Sequence, residues 1–303
     1  RERGYHGMNI GATTVGGMIN NVKTFASVLM PGVQHMRHTH LPEHKFVKGQ
    51  PETGVEMAED LERIAMNFGG ENIAACIVEP IAGSTGTLVP PKGYLKRLRE
   101  ICDKHGILLI FDEVITGWGR TGSAFAAQEW NVKPDIMTMA KATTNGVVPM
   151  GVVAVKEEIY DSVLDSSSAP EGTPELFHGY TYSGIPVAVA AALAVQDIFD
   201  KEDIFKRAKE MSPYLQDGLQ SLKDLKEIVS IRGYGMMGGI EIRMKDKPGK
   251  AGFQVFKHCY DSGVNFKNTG DNLIIAPQFI CEKKHIDEII EKLRTGISNY
   301  AKS

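Results

Sequence analysis

Three short apolar runs in this chain end in ionisable residues. Ile73 to Val78 runs into Glu79-Pro80, Ile107 to Phe111 into Asp112-Glu113, and Ile136 to Ala140 into Lys141. Continuous apolar runs suit strands buried on both faces. In an open parallel sheet, ligands gather outside the carboxyl ends of such strands. A charge placed there is costly to desolvate unless it is paired or used. Two readings follow. Asp112 and Lys141 pair with each other as a salt bridge at the sheet edge, or each serves a ligand between them. In the second reading Lys141 is a partly desolvated amine that forms an imine and later accepts a proton. Asp112 then faces a ring nitrogen and keeps it protonated, so that the ring accepts carbanion electrons. A charge-assisted bond of that kind is worth roughly 1.5–3 kcal/mol, or about one to two pKa units on the nitrogen. One lysine and one aspartate on different strands, with glycine-rich turns nearby, is the pattern that pyridoxal phosphate (PLP) chemistry needs.

The elements that must position these residues alternate in the manner of βαβ units. A further apolar run, Val152 to Val155, follows Lys141. Between the first two runs, Pro90-Pro91 precedes an apolar face of Leu95, Leu98, Ile101 and Cys102, and Gly106 stands where a helix C-terminus wants a left-handed residue. An earlier stripe of Val55, Ala58, Leu61, Ile64, Ala65 and Phe68 predicts another helix. Residues 1–200 therefore read as a large α/β domain on a mostly parallel sheet. From Gly184 the small-residue run Pro186 to Leu193 reads as a tightly packed helix continuing towards Phe199. After about Lys201 charged helices (Lys206 to Leu222, Phe253 to Tyr260, Ile286 to Ile297) flank short strands at Ile228 to Ile231, Met236 to Ile242 and Leu273 to Ala276. Residues 201–303 read as a smaller α+β domain.

At the same strand ends the chain resembles a known family. Leu109-Ile110-Phe111-Asp112-Glu113-Val114-Ile115-Thr116-Gly117-Trp118-Gly119-Arg120-Thr121-Gly122 and Pro134-Asp135-Ile136-Met137-Thr138-Met139-Ala140-Lys141, with Thr144-Asn145-Gly146, are similar to signatures of the class III PLP-dependent aminotransferases. Arg3-Gly4-Tyr5-His6-Gly7, Val78-Glu79-Pro80 and His178-Gly179-Tyr180-Thr181-Tyr182-Ser183-Gly184 match as well. The set is most similar to the ω-amino acid (β-alanine):pyruvate aminotransferases. The resemblance implies a fold type I PLP-dependent transferase that moves an amino group from an ω-amino donor to pyruvate. It implies Lys141 as the Schiff-base lysine and proton shuttle, and Asp112 as the partner of the pyridine nitrogen. Tyr5 stacks on one ring face, with His6 beside it, and Val114 packs on the other. Glu79 lies by the substrate side of the ring, and the alternative for it is a strand-end carboxylate bonded to nearby backbone. Thr181 binds cofactor phosphate across a subunit boundary, which implies a homodimer or homotetramer.

The chain departs from the family in two places. It begins too late to contain the family's glycine-, serine- and alanine-rich phosphate turn, so an N-terminal part of the natural polypeptide upstream of Arg1 is expected to be missing. Lys267, in Val264-Asn265-Phe266-Lys267-Asn268-Thr269-Gly270-Asp271, stands where many relatives carry an arginine that clamps the substrate carboxylate. A guanidinium makes a planar two-point contact, whereas an ammonium is a point charge on a flexible stem. Lys267 is expected to bind substrate less directionally or else to be a surface residue.

Other readings stay open. A taurine:pyruvate or other amine transaminase, a racemase or aminomutase, or a non-catalytic scaffold would use the same fold. Gly117-x-Gly119-x-x-Gly122 and Gly233-x-Gly235-x-x-Gly238 satisfy the dinucleotide pattern, yet the strand after the first ends in Lys141 rather than an acid for the ribose. His35, His38, His40 and His44 read as a polar loop, and no metal is expected. The net charge of −3 offers no footprint for nucleic acid or anionic lipid. No apolar stretch is long enough to span a bilayer. Cys76, Cys102, Cys259 and Cys281 form no C-x-x-C pair and read as reduced core thiols of a cytoplasmic protein.

Overall fold

The computed structural model describes residues 1–167, 170, 176 and 178–302. Four strands form the first sheet in the order β1 (Ala75–Val78), β2 (Leu108–Asp112), β3 (Ile136–Met139) and β4 (Val152–Val155). The first three are parallel, and β4 returns antiparallel to β3. Val78 pairs with Phe111, and Asp112 with Thr138. That register brings Glu79, Asp112 and the residues after β3 out at one end of the sheet, as a parallel arrangement demands.

The crossover between β1 and β2 is the helix Tyr94–His105, which buries Tyr94, Leu95, Leu98, Ile101 and Cys102. Gly106 ends it in the left-handed region, φ 69°, with its N–H on the Cys102 carbonyl. The helix Glu59–Phe68 packs Leu61, Ile64 and Ala65 into the same core, together with Val78, Leu109 and Phe111. The predicted stripe begins one element earlier, because Val55–Ala58 forms a separate 3₁₀ turn.

The second sheet is antiparallel throughout, ordered β5 (Ile228–Tyr234), β6 (Met237–Ile242), β8 (Asn272–Ile275), β7 (Lys267–Thr269). The helices Ile204–Gln220, Lys250–Asp261 and Lys283–Lys302 cover it, and Leu215, Leu219, Ile240, Val255, Leu273 and Leu293 make its core. Strand β7 is absent from the expected set because Lys267-Asn268-Thr269 carries no apolar alternation to read. Residues 45–49 also reach this sheet: the Lys45 carbonyl accepts from Ile231 N–H at 2.7 Å, and Gly49 N–H donates to Gly233 O at 3.1 Å. The helix Pro186–Lys201 buries only one stripe, Ala188, Ala192, Val195 and Phe199. Val187, Val189, Leu193 and Ile198 are exposed, so this helix is less enclosed than its composition suggests. No described helix is long and apolar enough to cross a membrane.

Candidate active site

Lys141 sits on a tight turn immediately beyond β3. Ala140 is extended, and Lys141 adopts φ 48°, in the left-handed region that non-glycine residues seldom occupy. The turn is closed by Thr143 N–H on the Ala140 carbonyl (3.0 Å) and Gly146 N–H on the Lys141 carbonyl (3.1 Å). The side chain opens into a cavity of about 440 Å³ whose walls include Ser84, Val114, Arg120, Met237 and Lys267. Among the described residues Lys141 Nζ has no hydrogen bond and no ion pair. Burial pulls its pKa below the ordinary lysine value. The carboxylates of Asp112 and Glu79 oppose that effect, and the ammonium of Lys267 adds to it. The simple salt bridge between Asp112 and Lys141 is therefore not formed.

The carboxylate of Asp112 is buried and held from two sides. Val114 N–H donates to Oδ1 at 3.0 Å, and His6 Nδ1 lies 2.8 Å from Oδ2. With Asp112 ionised, that ring nitrogen is the donor. His6 Nε2 is buried and, among the described residues, has no hydrogen-bond partner. Asp112 itself is not among the residues lining the Lys141 cavity, but Val114 is, and both carboxylate oxygens retain further acceptor sites. Glu79, level with Asp112 on the neighbouring strand, accepts from Tyr5 N–H and Gly83 N–H, each at 2.9 Å. Burial raises its pKa; the Tyr5 N–H and His6 oppose this, and the nearby Asp112 adds to it.

The neighbouring Glu113 shows what a structural carboxylate looks like here. It takes Thr116 Oγ1 at 2.5 Å and the N–H groups of Ala126 and Ala127 at 3.0 and 2.8 Å, which fixes the turn after β2.

Tyr5 is half-buried and anchored through its backbone to Glu79. Lys267 is exposed on β7 and lines the Lys141 cavity. Thr181 lies in an exposed turn and does not line that cavity. Its neighbours Tyr180 and Tyr182 border a separate hollow of about 200 Å³ with Pro149 and Ile185. Arg120 is a wall residue that sequence reasoning missed. Its only signal was the glycine pattern around it.

That glycine pattern is not a nucleotide loop. Gly117 to Gly122 leads only into the four-residue helix Ala126–Glu129, and Gly233 to Gly238 is the hairpin joining β5 to β6. The four histidines are held mostly by other groups, although His40 N–H donates to His38 Nδ1 at 3.3 Å. His35 Nε2 meets the Gly16 carbonyl at 2.8 Å, and His44 Nε2 lies 3.4 Å from Thr53 Oγ1. His40 is pushed down to about 3 by burial and then by Arg232 and Arg3. Among the described residues no three histidines, cysteines or carboxylates are grouped to hold a metal ion.

The larger hollow of the first sheet, about 650 Å³, lies at the other end of β3, where Asp135 is bonded by Lys156 and Arg99. The smaller one carries the unpaired amine. Its volume lies within the range of small-molecule sites. An unpaired amine, an apolar valine wall and a buried carboxylate with acceptor sites left suit a flat ring with an imine-forming carbon and a protonatable nitrogen.

Comparison with known proteins agrees with this chemistry. The family profile described as "Aminotransferase class-III" matches residues 1–297. The chain is 50% identical to the omega-aminotransferase of Caulobacter vibrioides over 296 residues, which is 97% of this chain and 66% of that protein. It is 41% identical to the beta-alanine--pyruvate aminotransferase of Pseudomonas aeruginosa, over 99% of this chain and 67% of that one. The chain spans about two thirds of the length of the curated relatives it matches. Among solved structures it superposes on the omega transaminase of Pseudomonas jessenii in complex with PMP with a TM-score of 0.92 at 29% identity, covering 100% of this chain and 68% of the other.

Proposed function

We propose that this chain, which belongs to the class III aminotransferase family, provides the lysine and aspartate centre of an ω-amino acid:pyruvate aminotransferase. The enzyme takes the amino group of a β-alanine-like donor and passes it to pyruvate, giving an aldehyde and alanine. The observation that carries this reading is the unpaired, desolvated amine of Lys141 at the end of β3. Pyridoxal phosphate, when bound, supplies an imine-forming carbonyl and an electron sink.

The chain's own residues do the rest. Lys141 Nζ, which burial makes easier to deprotonate, takes the proton from the amine-bearing carbon and holds it for return. Asp112 keeps the ring nitrogen protonated, and His6 and the Val114 N–H orient that carboxylate. Val114, on the cavity wall, and Tyr5, tied through its backbone to Glu79, would hold the two faces of the ring. Glu79, tied to the Tyr5 and Gly83 backbone, orders the substrate side. Lys267 attracts the carboxylate of donor and acceptor across the cavity. Thr181, away from that cavity, serves a phosphate site completed by a second subunit in a homodimer or homotetramer. Four free, buried cysteines accord with a cytoplasmic setting.

One relative and one residue indicate where the donor choice is open. A putrescine--pyruvate aminotransferase of Pseudomonas aeruginosa is 38% identical to this chain. A lysine at position 267 also accepts a sulfonate as a point charge would. A panel of β-alanine, putrescine and taurine with pyruvate, scored by alanine formed, decides between them. β-Alanine is expected to lead. Alanine formation from none of the three overturns the reading.

A further inference from the structure

Arg120 stands on the turn after β2, where Trp118 (φ 61°), Gly119 (φ 104°) and Gly122 (φ 93°) all take left-handed backbone. A Cβ at Gly119 would lie 3.3 Å from the rings of Phe205 and Phe279, so the turn is pressed against the second half of the molecule. From that position Arg120 makes three bonds to the loops that bound the second sheet. Its carbonyl accepts from Met236 N–H at 2.8 Å. Its Nη1 donates to the Met236 carbonyl at 3.0 Å and to the Pro277 carbonyl at 2.6 Å. The guanidinium carbon lies 4.4 Å from the centroid of Phe279. Gly235 is approached so closely that a Cβ there would meet Arg120 O at 2.1 Å.

No described carboxylate pairs with Arg120. Burial pushes it down to about 10. A half-buried cation satisfied by two carbonyls and a ring face is an expensive way to hold two loops together. Its location gives a reason. Met237 and Ala276, the immediate neighbours of its two acceptors, line the Lys141 cavity, as does Ile274. Ile274 is the β8 partner of Lys267. One guanidinium thus fixes both ends of the wall that faces Lys141.

We infer that Arg120 is a positioning residue for the substrate carboxylate: through Met236 and Pro277 it sets the distance between Lys267 on the second sheet and Lys141 on the first. Selectivity for carboxylate-bearing substrates then depends on a residue that acts through backbone. This rests on the reading of Lys267 as the carboxylate anchor, and the experiment separates the two.

The cofactor-loaded whole enzyme is compared with Arg120→Met, which keeps a long apolar stem, and Arg120→Lys, which keeps a charge. Two quantities are read: the affinity for propionate, a carboxylate without an amine, from Trp fluorescence, and the donor half-reaction with β-alanine and with propylamine. A displacement of about 1 Å can cost on the order of 100-fold. Arg120→Met is therefore expected to weaken propionate binding and raise the β-alanine requirement at least about tenfold, with propylamine changed by less than about threefold. Arg120→Lys is expected to fall between. Proportional loss with both donors, or no change in propionate affinity, overturns the inference. If Arg120→Met does not fold, the same criteria apply to Arg120→Lys alone. A parallel Lys267→Ala variant with unchanged propionate affinity overturns the anchor reading itself. If Lys267→Ala weakens propionate binding and the Arg120 variants do not, only the positioning role is wrong.

Discussion

The two ends of β3 carry charges of opposite sign and opposite circumstance. Before the strand begins, Asp135 is saturated: Arg99 Nη1 at 2.6 Å, Lys156 Nζ at 2.5 Å and Leu109 N–H at 2.7 Å. Burial pushes its carboxyl up, but Lys156, the Leu109 N–H and Arg99 together hold it below the usual range. Beyond the strand's other end, Lys141 has no partner among the described residues and lies beside a cavity, and burial pulls its pKa down. A strand of four residues and Ala140 separate a charge that stabilises from a charge that is available. A paired charge at a strand end holds neighbouring elements in place. An unpaired one beside a cavity, in a fold that could have paired it, is a candidate reaction centre.

The widest separation between the two ends is expected in turnover. Lys141→Ala should lower the transamination rate at least about 1,000-fold, since it removes both the amine and the proton carrier. Thermal unfolding of the cofactor-free protein should be almost unchanged, because among the described residues the ammonium makes no hydrogen bond or ion pair that would be lost. A variant that keeps more than a tenth of wild-type turnover contradicts the assignment.

Asp135→Asn tests the other end. Loss of the charge from two bonded cations should cost about 2 kcal/mol of folding stability, with turnover per folded molecule preserved. The depressed pKa fixes the pH window. The contribution is present above the unfolded carboxylate value of about 3.9 and is lost as pH falls through the lower folded value. Denaturation curves of wild type and Asp135→Asn should therefore converge in acid; a gap that persists there points to packing instead.

The smallest effect is a pH shift. A lowered lysine pKa means that the donor half-reaction should rise with pH and level off below the usual lysine value of about 10.4. Removing the neighbouring cation with Lys267→Ala should move that rise to higher pH. An unchanged profile would mean that the two ammonium groups do not sense each other.

The Lys141 end of β3 is legible in the sequence because strand ends announce themselves locally. Ile136 to Ala140 is apolar, Lys141 is not, and parallel topology does the rest. The helix Tyr94–His105 was equally open to reading, through its apolar stripe and Gly106. What stayed hidden are relations between distant residues. The His6–Asp112 contact spans 106 positions and the Arg120–Pro277 bond 157, and neither leaves a periodic trace. Strand β7 is held by pairing with β8 rather than by its own polar residues, so nothing in Lys267-Asn268-Thr269 predicts it. Asp135 stands inside a sequence motif, but its saturation by three donors is a property of packing that no local pattern shows.

The most direct measurement captures the amine itself. The whole enzyme is mixed with pyridoxal phosphate, reduced with borohydride, digested and mapped by mass spectrometry. The pyridoxyl mass is expected on Lys141, and Lys141→Ala should abolish specific incorporation. A label spread over surface lysines, or fixed on Lys267 with Lys141 unmodified, would contradict the account.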